Sequence, residues 1–570
     1  MTGFKAIALD YDGTLTEGDR PTDDVLEALR ATRAEGRRLV LVTGRILDEL
    51  RQVFPEVEDE FDAIVAENGA VIATVDGVAD VVAPVAPELA SALAARDIPV
   101  RSGRVILACD GEHATAVFEE IGRHGLDAQV VRNRNALMVI PSGVTKATGL
   151  LEVLGELGVS SHCTLGVGDA ENDLPLLEAC EVGVAVANAV DRLAEGADVV
   201  LEEPDGRGIV ELLRGPVVSG ARRVDARRRL KLGVGDGGRP VTVPTSHLSL
   251  LVTGGSGSGK SFVVGMLVEQ LAQLRYSVLV LDREGDHLGL GSRRGIVVLG
   301  GLPDPPPVEE VMAVLDHRFG SVVLDLSQLP VPEQDAYVAR LLPHVLELRR
   351  ACGSPHWLVF DEAHALAGPV ELVEIPFPLP GGGSVFATYR PQDLPAAIRD
   401  GFDAVIWLPG AGEGAPEAVR TVMDGFGVGD PAAAGPDLER GSAVLLDAHG
   451  AEPQVFELGE RAVPHIRHWH RYTDSELSPE HAFYFGEAGR EGIARNVREF
   501  HRGLRRIDVR TLRGHAHRSD LSRWIAEILQ VRELAALVAG LEADLVREER
   551  AEHDVRAELL ALIEEHYLEV

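Results

Sequence analysis

Along the first 213 residues the apolar positions fall in short unbroken runs, at 6–9, 39–42 and 165–168, each followed by a stretch long enough for a helix. Runs without polar alternation predict strands buried on both faces, hence an α/β layer with a parallel sheet. The rhythm breaks in a Gly, Arg and Lys-rich passage from Gly215 to Lys231, then resumes near Val241 with runs at 248–253, 278–281, 357–360 and 385–388. After Val463-Pro464 the strand-like runs stop, and Leu534, Leu537, Val538, Leu541 and Leu545 recur at helical spacing. The pattern therefore predicts an α/β domain over 1–213, a basic linker over 214–227, a second α/β domain over 228–463 and an all-helical domain over 464–570. No internal repeat interrupts this order.

A chain of 570 residues has room for several such domains. Its formal net charge of −35 counts against a generic binder of phosphate backbones, so nucleic acid is not a favoured partner. The most basic segment, 221–231, reads as a solvated linker helix, since like-charge runs are usually exposed faces. Cys109, Cys163, Cys180 and Cys352 are scattered without a C-x-x-C pair and read as buried reduced thiols. No export signal precedes Asp10 and no apolar run is long enough to span a bilayer, which points to the cytoplasm and to no membrane partner.

Candidate chemistry sits where strands end. The run 6–9 leads into Asp10-Tyr11-Asp12-Gly13-Thr14, two carboxylates two residues apart before a turn glycine. Strand alternation sends both acids to one side, where one can attack phosphorus and the other can transfer the proton. The run 39–42 ends in Thr43, a hydroxyl placed for a phosphoryl oxygen, and Lys146 offers a cation to offset the charge. The run 165–168 leads into Asp169-Ala-Glu-Asn172-Asp173, acids that can complete a Mg²⁺ shell.

These four motifs, in this order, resemble the haloacid dehalogenase superfamily of phosphatases over residues 1 to about 213. The resemblance implies a Rossmann-like α/β core with Asp10 as nucleophile and Asp12 as general acid and base. It makes Thr43 and Lys146 phosphate clamps and gives the metal to Asp10, Asp12, Asp169 and Asp173, with Asn172 orienting the loop. The segments Ala66-Glu67-Asn68-Gly69-Ala70 and Val184-Ala-Val-Ala-Asn188-Ala189 are similar to the subgroup with a small α/β cap, which would span about residues 82–143. A short cap implies a small phosphorylated substrate, such as phosphoglycolate or a sugar phosphate.

The run 248–253 opens into Gly254-Gly255-Ser-Gly257-Ser-Gly259-Lys260-Ser261, which fits the phosphate-cradling pattern G-x-x-x-x-G-K-[ST]. Backbone N–H groups at Gly254, Gly255, Gly257 and Gly259 would hold the phosphates of ATP, Lys260 the β and γ oxygens, and Ser261 the Mg²⁺. The run 357–360 ends in Asp361-Glu362, the first acid for the metal and the second to polarise the attacking water. With Asp282-Arg-Glu-Gly-Asp-His287 and Thr388-Tyr389-Arg390, the arrangement resembles the HerA and FtsK class of P-loop motor ATPases over about 228–460. That resemblance implies a homo-oligomeric ring, a hexamer, completed by a neighbour's arginine, with Arg390, Arg399 and Arg420 as candidates. Tyr389 stands where the class carries glutamine, and this departure weighs against a motor.

In the C-terminal part, His465, His468 and His470 lie close together without an acid or cysteine at a ligand spacing, so this part is assigned no chemistry. The whole reads as a Mg²⁺-dependent phosphomonoester phosphatase fused to an ATP-hydrolysing ring ATPase. Two alternatives are an ATPase part that regulates the phosphatase without moving anything, and a nucleic-acid translocase with an end-phosphatase.

Overall fold

The computed structural model describes residues 4–570 apart from 134–135, 220–221, 223, 225–226, 247, 256–257, 318–319, 365–382, 400, 410–440, 448–451, 464–472, 474–476, 478–480, 487–488, 530–531, 565–566 and 568–570. Its first unit is an eight-stranded sheet in the spatial order 199–200, 182–185, 164–168, 6–9, 38–42, 63–66, 71–74, 77–80. The six strands from 199–200 to 63–66 are parallel and the last two antiparallel. Helices cover both faces, which is why the strand Ala6–Leu9 and its neighbours have no exposed side. Leu9 lies opposite both Leu41 and Val167. That register carries Asp10, Thr43 and Asp169 to the same carboxyl edge of the sheet.

A smaller antiparallel sheet of four strands (101–102, 107–110, 136–141, 128–133) is inserted between strand Gly77–Asp80 and helix Lys146–Glu156. Helices Pro87–Ala94 and Ala114–His124 bury Leu89, Leu93 and Val117 against its Leu137 and Val139. Glu67 ties this insertion to the core. Its buried carboxylate accepts the backbone N–H groups of Arg104, Val105 and Ile106 at 2.9, 2.9 and 3.1 Å.

The second unit is an eleven-stranded sheet in which Ser249–Gly254 is central, flanked in parallel by Gly383–Thr388 and Ala404–Leu408. The strands Trp357–Phe360, Val278–Asp282, Ser321–Asp325 and Ile296–Gly300 continue the parallel side, and an antiparallel set closes the other. Among the described residues the C-terminal part holds five helices from Val497–Arg506 to Glu552–Ile563, but it is not all-helical. Phe483–Phe485 pairs antiparallel with Gly492–Ala494, because Phe483 and Phe485 turn one face into the helical core beside Phe500 while Tyr484 faces outward.

The basic passage departs from a solvated linker helix as well. None of its described residues from 215 to 228 is helical. Arg227 donates to the carbonyls of Leu177 and Cys180, and Arg228 to that of Cys180 at 2.9 Å, at the end of helix Leu174–Ala179. The last carbonyls of a helix lack partners, and guanidinium forks supply them.

The two sheets meet through their amino edges. The His162 ring stacks on Tyr276 at 3.7 Å, Glu181 accepts from the Tyr276 hydroxyl at 2.9 Å and pairs with His162 at 3.0 Å, and Ser160 bonds His356 at 2.7 Å. Burial, then His162 and Arg349, hold His356 well below its ordinary 6.5, whereas at Glu181 burial is outweighed by His162, Arg228 and Tyr276, which keep it below 4.5. Both groups bind fewer protons docked than free, so the contact is fully stable above the ordinary pKa values. It weakens as pH falls, first below 6.5 through His356 and then below 4.5 through Glu181. Limited proteolysis of the 214–227 passage is expected to accelerate as pH drops from about 7 to about 5. An unchanged rate would contradict this.

Candidate active sites

Each site residue in the first unit is held by local geometry. Gly13 takes a left-handed φ of 79°, turning the chain directly after Asp12, and Asn188 pins that turn by donating to the Gly13 carbonyl at 2.8 Å. The capping box of Thr145 and Thr148 starts helix Lys146–Glu156, so Lys146 enters the site from its first turn. Gly69 lies so close to this helix start that a Cβ would fall 2.0 Å from the Thr145 carbonyl oxygen. The turn at Glu67 and Asn68 is left-handed too, with φ of 52° and 57°.

The result is a buried cluster. Lys146 Nζ donates to Asp10 Oδ1 at 2.6 Å and to Asp173 Oδ1 at 2.5 Å. The other oxygen of Asp173 accepts the N–H groups of Asp169 and Ala170, both at 3.0 Å, and Thr14 donates to Asp169 at 3.3 Å. Candidate ligand oxygens of Asp10, Asp169 and Asp173 lie within 4.8 Å of one another. Burial, reinforced by Asp173 and Asp169 and opposed by Lys146, pushes Asp10 well above the ordinary carboxylate value. Burial alone would lower Lys146, but the two carboxylates outweigh it and hold the ammonium charged.

Three carboxylates and one ammonium leave the cluster two charges negative when all are ionised, and its donors are all oxygen. Such a set fits one hard divalent cation, which would offset the negative charge and favour ionised Asp10. Thr43 is brought to the same edge, buried, its hydroxyl accepting the Arg45 N–H at 3.1 Å.

Asp12 is not brought into the cluster. Arg45 grips both its oxygens, Nε at 3.0 and 2.9 Å and Nη2 at 2.6 Å. Sequence reasoning assigned no role to Arg45, although it directly follows the Thr43-Gly44 strand end. It missed the Glu67 clamp for a plainer reason, since the partners are backbone groups 37 to 39 residues away.

In the second unit, Gly259 at φ 102° opens helix Lys260–Gln273 with Lys260 and Ser261 in its first turn. Gly254 ends the central strand where a Cβ would meet the Leu408 carbonyl at 2.3 Å. Lys260 Nζ folds back onto the carbonyls of Gly255 at 3.1 Å and Gly254 at 3.4 Å, and lies 5.7 Å from the Tyr389 ring. Gly257 lies outside the described residues, as do Arg420, His465, His468 and His470.

Asp361 follows its strand and is held by His287, Nε2 to Oδ2 at 2.8 Å. His287 in turn is fixed by Asp282, whose carboxylate accepts the N–H groups of Glu284, Gly285, Asp286 and His287. Burial raises Asp282 to about 6, while at His287 burial is outweighed by the carboxylates of Asp361, Asp282 and Asp286, which raise it. Glu362 takes a left-handed φ of 51° and pairs with His364 at 3.2 Å. Sequence reasoning gave no role to His287, whose partner Asp361 is 74 residues away.

The model of the family described as haloacid dehalogenase-like hydrolase matches residues 7–83 and 102–213, and the model described as Helicase HerA, central domain, matches residues 240–299. A phosphoglycolate phosphatase of Archaeoglobus fulgidus is 31% identical over 222 residues, covering 37% of this chain and 96% of that protein. Its counterpart from Methanothermobacter thermautotrophicus is 31% identical over 220 residues, covering 37% of this chain and 98% of its own. A solved haloacid dehalogenase-like hydrolase from Bacteroides thetaiotaomicron aligns with a TM-score of 0.32 at 23% identity, over 37% of this chain and 98% of its own. With the Asp10, Thr43, Lys146 and Asp169 motifs gathered at one sheet edge and whole relatives spanned at this identity, the chain belongs to the haloacid dehalogenase-like hydrolases, with a segment matching the HerA central domain behind its phosphatase-like unit.

Proposed function

We propose that the first unit is a Mg²⁺-dependent phosphatase of small phosphomonoesters, with Asp10 as nucleophile. The observation that carries this reading is the Lys146 ammonium bridging Asp10 and Asp173 inside a buried carboxylate cluster. An oxygen of Asp10 attacks phosphorus, the P–O bond to the leaving group breaks, and the phosphoryl group is held as an acyl phosphate on Asp10. Asp12 gives the leaving oxygen its proton, then takes one from the water that attacks phosphorus and restores the Asp10 carboxylate. For this the Arg45 fork must release Asp12, so Arg45 keeps the acid turned away until substrate enters. Thr43 and Lys146 contact the transferring phosphoryl oxygens. A Mg²⁺ held by Asp10, Asp169 and Asp173 would supply electrostatic relief for the phosphoryl charge.

Turnover of an aryl phosphate by the full chain is the test. It is expected to vanish when divalent cations are chelated with EDTA and to return with added Mg²⁺. Turnover that persists in EDTA would count against the carboxylate cluster as the metal site.

The second unit we read as a site that binds and hydrolyses ATP, Lys260 and the loop N–H groups holding the phosphates. Ser261 and Asp361 would hold Mg²⁺, and Glu362 would orient the attacking water. Arg390 and Arg399 are the described candidates for an arginine lent across a homo-oligomeric, hexameric ring. The −35 net charge favours an enzyme acting without nucleic acid, and we read its location as the cytoplasm. No described helix is long and apolar enough to cross a membrane.

A further inference from the structure

A groove of about 650 Å³ lies in the second unit between the loop Pro305-Pro306-Pro307 and helix Val331–Cys352, which lends it Tyr337 and Pro343. The Tyr337 hydroxyl donates to the Pro306 carbonyl at 2.8 Å, and three consecutive prolines fix the φ angles of the loop, so the groove is built in advance. Its walls are largely apolar and its surroundings acidic. Asp304, Glu309, Glu310 and Glu333 are exposed on or beside these segments and make no ion pair among the described residues. Arg340 enters the groove as well, where it lies 5.7 Å from the centre of the Tyr337 ring.

The C-terminal part carries a surface of the opposite kind. Residues 490–523 hold ten arginines against four acidic residues, in a chain whose net charge is −35. Arg505, Arg513, Arg518 and Arg523 are paired with Glu564, Glu548 and Asp520. Arg490, Arg502, Arg506 and Arg510 are exposed and make no ion pair among the described residues. Arg502 and Arg506 stand one turn apart on the side of helix Val497–Arg506 away from its buried Phe500 and Leu504. Thr511 donates to Glu491, which joins the start of helix Val509–His517, with Arg510, to the hairpin turn, with Arg490. On the outer face of that hairpin Tyr484 and Ile493 lie directly opposite each other, and both are exposed, as is Val509.

Resting on the homo-oligomeric reading of the second unit, we propose that this basic, apolar-centred face of one chain docks on the acidic, apolar groove of the next copy. Tyr484, Ile493 and Val509 go toward the proline and tyrosine walls, and the four arginines meet the carboxylates around them. Both surfaces are exposed in a single chain, so neither fills the other there. The contact is head-to-tail, joining two different faces, which is the kind of interface that closes into a ring. The apolar side chains among the arginines favour this occupant over a phosphate backbone, which would leave them wet and would also approach a strongly acidic chain.

The test is light scattering on the full chain with ATP over a range of protein concentrations. One variant reverses the basic face, Arg490→Glu with Arg506→Glu, and another reverses the acidic rim, Asp304→Lys with Glu309→Lys. Each alone is expected to need at least about tenfold more protein than the wild type for half-assembly, because like charges then face each other. A 1:1 mixture of the two should assemble nearly as the wild type does, since every reversed face then finds a reversed rim, and this recovery also shows that both variants fold. Should a reversed chain melt early by circular dichroism, Arg490→Gln with Arg506→Gln takes its place and should still weaken assembly by about threefold or more. Variants that assemble as the wild type does, or a mixture of natively melting chains that stays apart, overturn the pairing and leave the ring standing. The pairing is equally overturned if assembly is unchanged while Arg490→Glu with Arg506→Glu abolishes binding of a labelled DNA duplex, which assigns the arginine face to a phosphate backbone. A wild type that stays monomeric with ATP removes the ring reading, and the docking with it.

Discussion

Asp10→Asn is expected to lower phosphatase turnover by at least about a thousandfold, because the amide cannot form the acyl phosphate on which the second step depends. A carboxylate that served only as a metal ligand would leave a covalent route through another residue, and none of the neighbouring groups offers one. Asp169 and Asp173 are committed, the first beside Thr14 and the second to Lys146 and two backbone N–H groups. Thermal stability is expected to hold while activity collapses. Burial and the charges of Asp173 and Asp169 already disfavour ionised Asp10, and Lys146 keeps Asp173 as its partner in the variant. Unfolding by circular dichroism beside steady-state kinetics separates the two: a variant that melts with the wild type yet turns over normally removes Asp10 from the chemistry.

The second large effect falls on the other unit. Lys260→Ala is expected to reduce ATP hydrolysis to background, since no second described cation reaches the loop carbonyls of Gly254 and Gly255, where the ammonium now rests. Phosphatase turnover in the same variant should match the wild type. The sheets touch at their amino edges, around His162, Tyr276 and His356, while both sites lie at carboxyl edges. Asp169 lies five residues beyond Thr164 and Asp361 five beyond His356, which is roughly 16 Å of extended chain in each direction. A fall in phosphatase rate beyond about twofold would show that the ATP state reaches Asp10 through that contact. Light scattering with and without ATP checks the ring: a mass that stays monomeric in both conditions contradicts it.

Much of the first site was legible because its parts are strand ends. Asp10, Thr43 and Asp169 each close a buried apolar run, and the parallel register of those runs does the gathering. Lys146 was legible from its motif, and the helix cap at Thr145 shows how it enters. What escaped depends on partners far along the chain. Arg45 and Asp12 are 33 residues apart, Tyr276 and Glu181 are 95 apart, and Ser160 and His356 are 196 apart. No local pattern encodes such a meeting. Arg227 and Arg228 were misjudged for a related reason: a basic run read alone is a solvated face, whereas unsatisfied carbonyls at a helix end make it a docking strap. The pair Phe483–Phe485 and Gly492–Ala494 is simply too short for a period of two to stand out beside the helices that follow.

The claim that Asp10 carries the phosphoryl group is tested most directly by trapping it. Asp12→Asn, which removes the group that activates water for the second step, is mixed with an aryl phosphate and Mg²⁺, quenched in acid and digested. Mass spectrometry is expected to find one phosphoryl group on the peptide that contains Asp10, and none when Asp10 is also replaced by Asn. A phosphoryl group on any other peptide, or none at all while aryl alcohol is still released in the first turnover, would contradict the account.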